Sequence, residues 1–116
     1  HIVDTEQVLL TRARYILAEP GIPIVPFDQD KWVKTQAYGQ RKLTLARRLL
    51  TATRETLIEL GDLVQEPLFG RTGKHPGHES YRAWDAVNYA ETHSRHHYGQ
   101  LVAIRDGVEW KRPGVE

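Results

Sequence analysis

Two histidines, His93 and His97, stand four residues apart in a segment whose other regularly spaced residues are small or apolar: Ala83, Ala86 or Val87, Ala90, Leu101 and Ile104. On a helix, residues four apart lie on one face, one turn above the other. Two imidazoles on a core-facing stripe need partners, because a buried polar group without a hydrogen bond costs about 1–3 kcal/mol. A single metal ion satisfies both, and the spacing brings two ring nitrogens to one ion. The chain holds six histidines, so such a pair also arises by chance. A metal site needs a third ligand from elsewhere, and the candidates are His1, His75 and His78. His75-Pro76-Gly77-His78 is Gly/Pro-rich, where solvated histidines are ordinary. His1 opens a helical segment with Thr5, Val8 and Arg12 on its face. Arg95 and His96 fall off the His93 face, so His96 receives no ligand role.

Composition narrows the chemistry further. The 116 residues suit one domain spanning 1–116. Sixteen basic against fifteen acidic side chains leave a net charge of +1, which argues against a dedicated nucleic-acid binder. With no cysteine, disulfides, thiolate zinc sites and cysteine nucleophiles are excluded. No apolar run approaches the roughly 20 residues of a membrane span, and no secretory signal is present. A soluble, cytoplasmic protein is expected.

The elements that must position the histidines read as three long helices. Residues 1–18 carry Ile2, Leu9, Ala13 and Ile16 at helical spacing, with Asp4, Glu6, Gln7 and Arg14 free to face water. Pro20-Gly21 stops this helix, and 19–38 reads as a long irregular connection with three prolines. Residues 40–64 form the second helix, where Leu43, Leu50, Leu57 and Val64 keep a seven-residue repeat. Residues 80–106 form the third, with Ser80 as cap and Gly107 as stop. No alternating β-branched run signals a strand. The fold class is therefore all-α. The helical pattern is already running at His1, which predicts a missing element upstream and a four-helix bundle in total. Helix 40–64 should be about 37 Å long. Twenty connecting residues can span that, so helices 1–18 and 40–64 are expected to run parallel across a crossover.

Weaker expectations attach to single residues. Gln100 shares the face of His93 and His97 and could orient a ligand or touch substrate, or equally make a polar contact within the bundle. Tyr89 could border the pocket, although an interface aromatic is the simpler reading. Asp4 and Arg12 suggest a structural ion pair. Arg41, Lys42, Arg47 and Arg48 form a basic cluster, but Glu55 and Glu59 share their helix, so a solvated face is the simpler reading. The three tryptophans are most simply packing.

Three stretches together resemble the DinB-like (YfiT-like) metalloenzymes. His1-Ile2-Val3-Asp4-Thr5-Glu6, with Arg12 downstream, resembles the start of that family's second helix. Pro26-Phe27-Asp28-Gln29-Asp30-Lys31-Trp32-Val33 resembles its connection to helix three. His93-Ser94-Arg95-His96-His97 resembles its helix-four metal motif. The resemblance implies a four-helix bundle with a long crossover between helices two and three, the first helix lying outside this chain. It implies His1, His93 and His97 as ligands of a divalent metal: nickel, zinc or iron. Relatives include bacillithiol-dependent transferases and mycothiol-dependent isomerases. Many members carry an acidic residue where this chain has Ser94.

Three neutral imidazoles leave the cation's charge uncompensated and a coordination position open, the pattern of catalytic rather than structural sites. Such an ion lowers the pKa of bound water toward about 7 and favours a bound thiolate. Since the chain lacks cysteine, any thiol must come from a low-molecular-weight cosubstrate. The expected function is a divalent-metal-dependent hydrolase or transferase, with a thiol-dependent S-transferase or isomerase as its finer form. The competing expectation is a non-catalytic, homodimeric bundle that binds a metal or small ligand.

Overall fold

The computed structural model describes residues 1–112. Helix α1 covers Ile2–Ala18, a short α2 Gln29–Thr35, α3 Leu43–Leu63 and α4 Ala83–Asp106. Single 3-10 turns precede and follow α3, at Tyr38–Gln40 and Glu66–Gly70. A two-stranded hairpin, β1 Thr72–His75 and β2 His78–Arg82, joins the second turn to α4.

Side-chain pairs fix the helix directions. Near the start of α1, Asp4 receives hydrogen bonds from Tyr38 and Arg41, just ahead of α3. At its end, the Leu17 carbonyl accepts from Arg71, beyond α3. The two helices therefore run parallel, as the crossover length requires. The Ala83 amide donates to the Arg71 carbonyl at 3.0 Å, while His93 meets His1, so α4 runs antiparallel to α1. Ala83, Ala86 and Ala90 are buried against Leu9, Ala13 and Ile16. Three alanines on the contact stripe let α1 and α4 approach closely, and the same stripe carries His93 on its next turn.

The crossover is more ordered than its prolines suggest. Asp28 caps α2 by accepting from the Asp30 and Lys31 amides, both at 3.1 Å. Phe27, just before the cap, packs on Trp32 with ring centroids 5.0 Å apart. This hydrophobic staple fixes the angle at which the chain enters α2.

Four sequence expectations need correction. The hairpin was not signalled, because Thr72-Gly73-Lys74-His75 lacks β-branched alternation; backbone pairing makes it. Gly73 opposes Tyr81, and β1 also exchanges hydrogen bonds with the crossover at Gly21, Ile22 and Ile24, at 2.7–2.9 Å. A Cβ on Gly73 would stand 3.0 Å from the Ile16 and Ile24 side chains, so any larger residue there must push both aside. Second, α4 starts at Ala83: Asp85 accepts the Arg82 amide at 2.8 Å and also pairs with the Arg82 guanidinium, while Ser80 lies in β2. Gly107, in the left-handed region at φ 67°, ends α4 as expected. Third, Asp4 and Glu6 are buried and paired with cations, Asp4 with Arg41 just ahead of α3 and Glu6 with Arg54 in the middle of α3. Fourth, Leu43, Leu101 and Ile104 are exposed. Leu101 lies with Ile58 and Tyr98 along an open groove bordered by α3 and α4.

Candidate metal centre

His1 caps α1, and His93 and His97 occupy successive turns of α4. His93 Nε2 lies 3.1 Å from His1 Nε2 and 3.1 Å from His97 Nε2. One ligand nitrogen from each ring falls within 4.8 Å of the others. Two nitrogens bound to one first-row ion at about 2.0–2.1 Å, at tetrahedral or right angles, stand about 2.9–3.4 Å apart. The spacing of both His93 pairs matches that geometry.

Proton placement carries the fit further. His97 Nδ1 lies 2.6 Å from Gln100 Oε1, an atom that can only accept. The Nδ1 therefore holds the proton, and Nε2 presents a lone pair toward His93. One proton on His93 Nε2 could serve only one of its two neighbours, whereas a cation at the centre serves all three lone pairs. His1 Nδ1 contacts Thr5 Oγ1 at 3.4 Å, and His93 Nδ1 is buried without a partner among the described residues. Burial, then the neighbouring His97 and His96, push His93 down to about 4. It is thus neutral near pH 7, as ligation requires. The donor set fits a borderline divalent ion, and imidazole alone does not choose between nickel, zinc and iron.

The remaining expectations divide. Gln100 lies in contact with the His97 ring. Tyr89 borders the pocket, its ring 5.5 Å from that of His93. His96 stays outside the cluster, its ring against Trp110 at 4.7 Å. His75 and His78 face each other on the hairpin, away from the cluster. Asp4 and Arg12 do not pair: Asp4 binds Tyr38 and Arg41, and Arg12 donates to the Val25 carbonyl at 3.1 Å. Ser94 donates to Glu6, which also binds Arg54 at 2.9 Å, so α1 delivers a carboxylate beside the metal motif although position 94 carries none.

Sequence reasoning missed the wall that α2 adds. Gln29, Asp30 and Val33 line the 550 Å³ cavity over the three histidines, together with Thr92 and Arg112. The cap at Asp28 and the Phe27–Trp32 spacing were the available signal. Asp30 gives this cavity an exposed carboxylate.

Comparison with known proteins agrees with this architecture. The family model for the DinB superfamily matches residues 1–101. No curated protein matches the chain. Among solved structures, the chain is similar to YfiT from Bacillus subtilis, described as "a probable metal-dependent hydrolase with an unusual four-helix bundle topology". The TM-score is 0.81 at 21% identity, over 94% of this chain and 64% of YfiT. The likeness establishes the four-helix-bundle topology for this chain, which spans just under two thirds of that protein's length.

Proposed function

This chain belongs to the DinB superfamily, and from that premise we propose that it is a divalent-metal-dependent enzyme whose ion is held by His1, His93 and His97. One observation carries the reading: three imidazole nitrogens converge, with the His97 proton turned away by Gln100. A divalent metal bound by these three neutral imidazoles would supply the Lewis acidity that activates water or a thiol near pH 7.

The surrounding residues bind and orient. Gln100 holds the His97 ring at the angle that aims Nε2 inward. Glu6 faces the motif through Ser94, and its charge favours a cation beside His93. Asp30 adds an exposed carboxylate to the lining of the cavity. Tyr89 and Thr92 line the approach. YfiT's description supports hydrolysis as one outcome. Transfer or isomerisation with a thiol is the finer form; the chain has no cysteine, so that thiol would have to be an exogenous low-molecular-weight one.

Elemental analysis of protein purified without added metal tests the reading. About one equivalent of a first-row metal is expected in the wild type, with loss in His97→Ala. The metal-loaded protein is then assayed against esters and amides, and against electrophiles with and without added thiol. Wild-type protein that retains no metal, and binds none on titration, overturns the proposal.

A further inference from the structure

A second concavity, about 860 Å³, lies between the hairpin and the first turns of α4. Its chemistry differs from that of the histidine cavity. Arg12 enters it from α1 with its guanidinium 5.9 Å from the centroid of the buried Tyr81 ring. The Val25 carbonyl is its hydrogen-bond acceptor, its Nε is buried without a partner, and no described carboxylate pairs with it. An arginine held partly out of water normally finds an acid, because its desolvated charge is otherwise uncompensated.

Two imidazoles stand beside it. The His75 and His78 rings meet edge to face at 4.6 Å, and both pack on Tyr81, at 5.0 and 5.4 Å. His75 Nδ1 accepts the Gly77 amide at 3.0 Å, so the neutral ring carries its proton on Nε2, as a donor. Burial first, then Arg12 and His78, make His75 harder to protonate, as expected in positive surroundings. The cleft's acid, Asp85, is already neutralised by Arg82 at 2.9 Å. Asn88 and Thr92 add neutral polar groups. A set of donors around one unpaired cation suits an anion.

We propose that this cleft binds an oxyanion, a carboxylate or phosphate group, with Arg12, His75 and His78 as its donors. Tyr89 and Thr92 line both this cleft and the histidine cavity, so the two spaces share a wall. Resting on the metal-centre reading, the cleft then holds the anionic end of the substrate whose reacting group lies over His1, His93 and His97. The substrate class is a small anionic molecule.

The test is a titration of isotope-labelled protein with succinate and, separately, with inorganic phosphate. The signals followed by NMR are the histidine rings and arginine Nε–H groups, in chelator-treated and in zinc-loaded protein. Saturable shifts at Arg12, His75 and His78 are expected in both preparations, and the tighter anion identifies the group. Arg12→Gln should weaken binding at least about tenfold. His78→Ala, at an exposed hairpin position, should weaken it at least about threefold and serves if Arg12→Gln fails to fold. No saturable shift, shifts confined to His93 and His97, shifts that require zinc, or binding indifferent to the substitutions overturns the proposal. Failure of the metal reading looks different: zinc does not bind, yet the anion shifts persist.

Discussion

His97 Nδ1 donates to Gln100 Oε1 across 2.6 Å, and this contact decides which His97 nitrogen faces the other two imidazoles. Without it, the ring could rotate or exchange its proton between nitrogens, and Nε2 would be available only part of the time. Substitutions of such supporting partners typically cost about 10–100-fold in metal affinity. Gln100→Ala should weaken binding by that order without changing the number of sites, as measured by competition with a chromogenic chelator. An affinity equal to wild type would show that Gln100 does not govern the His97 ring.

Metal and stability are linked. Metal that binds only the folded chain should raise stability by about 2.7 kcal/mol at a hundredfold excess over its Kd. Thermal melts with and without chelator should lose most of that difference in His97→Ala. His75→Ala and His78→Ala should keep it, since both lie outside the cluster. A chelator effect surviving in His97→Ala but vanishing in His78→Ala would move the site to the hairpin.

Glu6 is 1% exposed and depends on Arg54 and Ser94 for its partners. Arg54→Ala strands the carboxylate. Because the Arg54 side chain is 47% exposed, water can partly replace it, and a loss of about 1–3 kcal/mol is expected. The double variant Glu6→Leu with Arg54→Ala should recover much of that loss in urea denaturation. A double variant less stable than Arg54→Ala would show the ion pair to be worth more than its desolvation costs.

Tyr38 donates to Asp4, and burial, this hydrogen bond and the Asp4 charge together push its hydroxyl up to about 12. The folded chain thus holds the proton more tightly than the unfolded chain, where Tyr ionises near about 10. The resulting stabilisation is complete below about pH 10 and is lost as pH rises through about 12. Tyr38→Phe should flatten the stability profile in that window relative to wild type, as read by urea midpoints. Parallel profiles would remove Tyr38 as the cause.

The three long helices were legible because each buries a stripe, and helical spacing exposes a stripe in any sequence. The pair His93 and His97 was legible for the same reason. His1 was not: its approach to His93 depends on the antiparallel packing of α1 on α4, and only the family resemblance singled it out. The hairpin escaped because its stability lies in backbone bonds to Ile22 and Ile24, which leave no side-chain periodicity. The burial of Asp4 and Glu6 escaped because amphipathic patterns rank residues by polarity, and a carboxylate facing an arginine on the next helix defeats that ranking. The α2 wall was written locally, in the Asp28 cap and the Phe27–Trp32 staple, but was hidden among prolines.

His1 and His93 are 92 residues apart, whereas His93 and His97 share one helix. An ion binding all three therefore acts as a reversible crosslink around nearly the whole chain. Closing a loop of that length in a disordered chain costs about 4–5 kcal/mol of entropy, so an unfolded molecule captures the ion poorly. A peptide carrying α4 alone would hold metal through two nitrogens, and its deficit against the intact protein measures how firmly α1 docks. Fraying of α1 and release of the ion become a single event. The lifetime of that docking, and with it resistance to proteolytic clipping near the start of α1, would follow the supply of free metal.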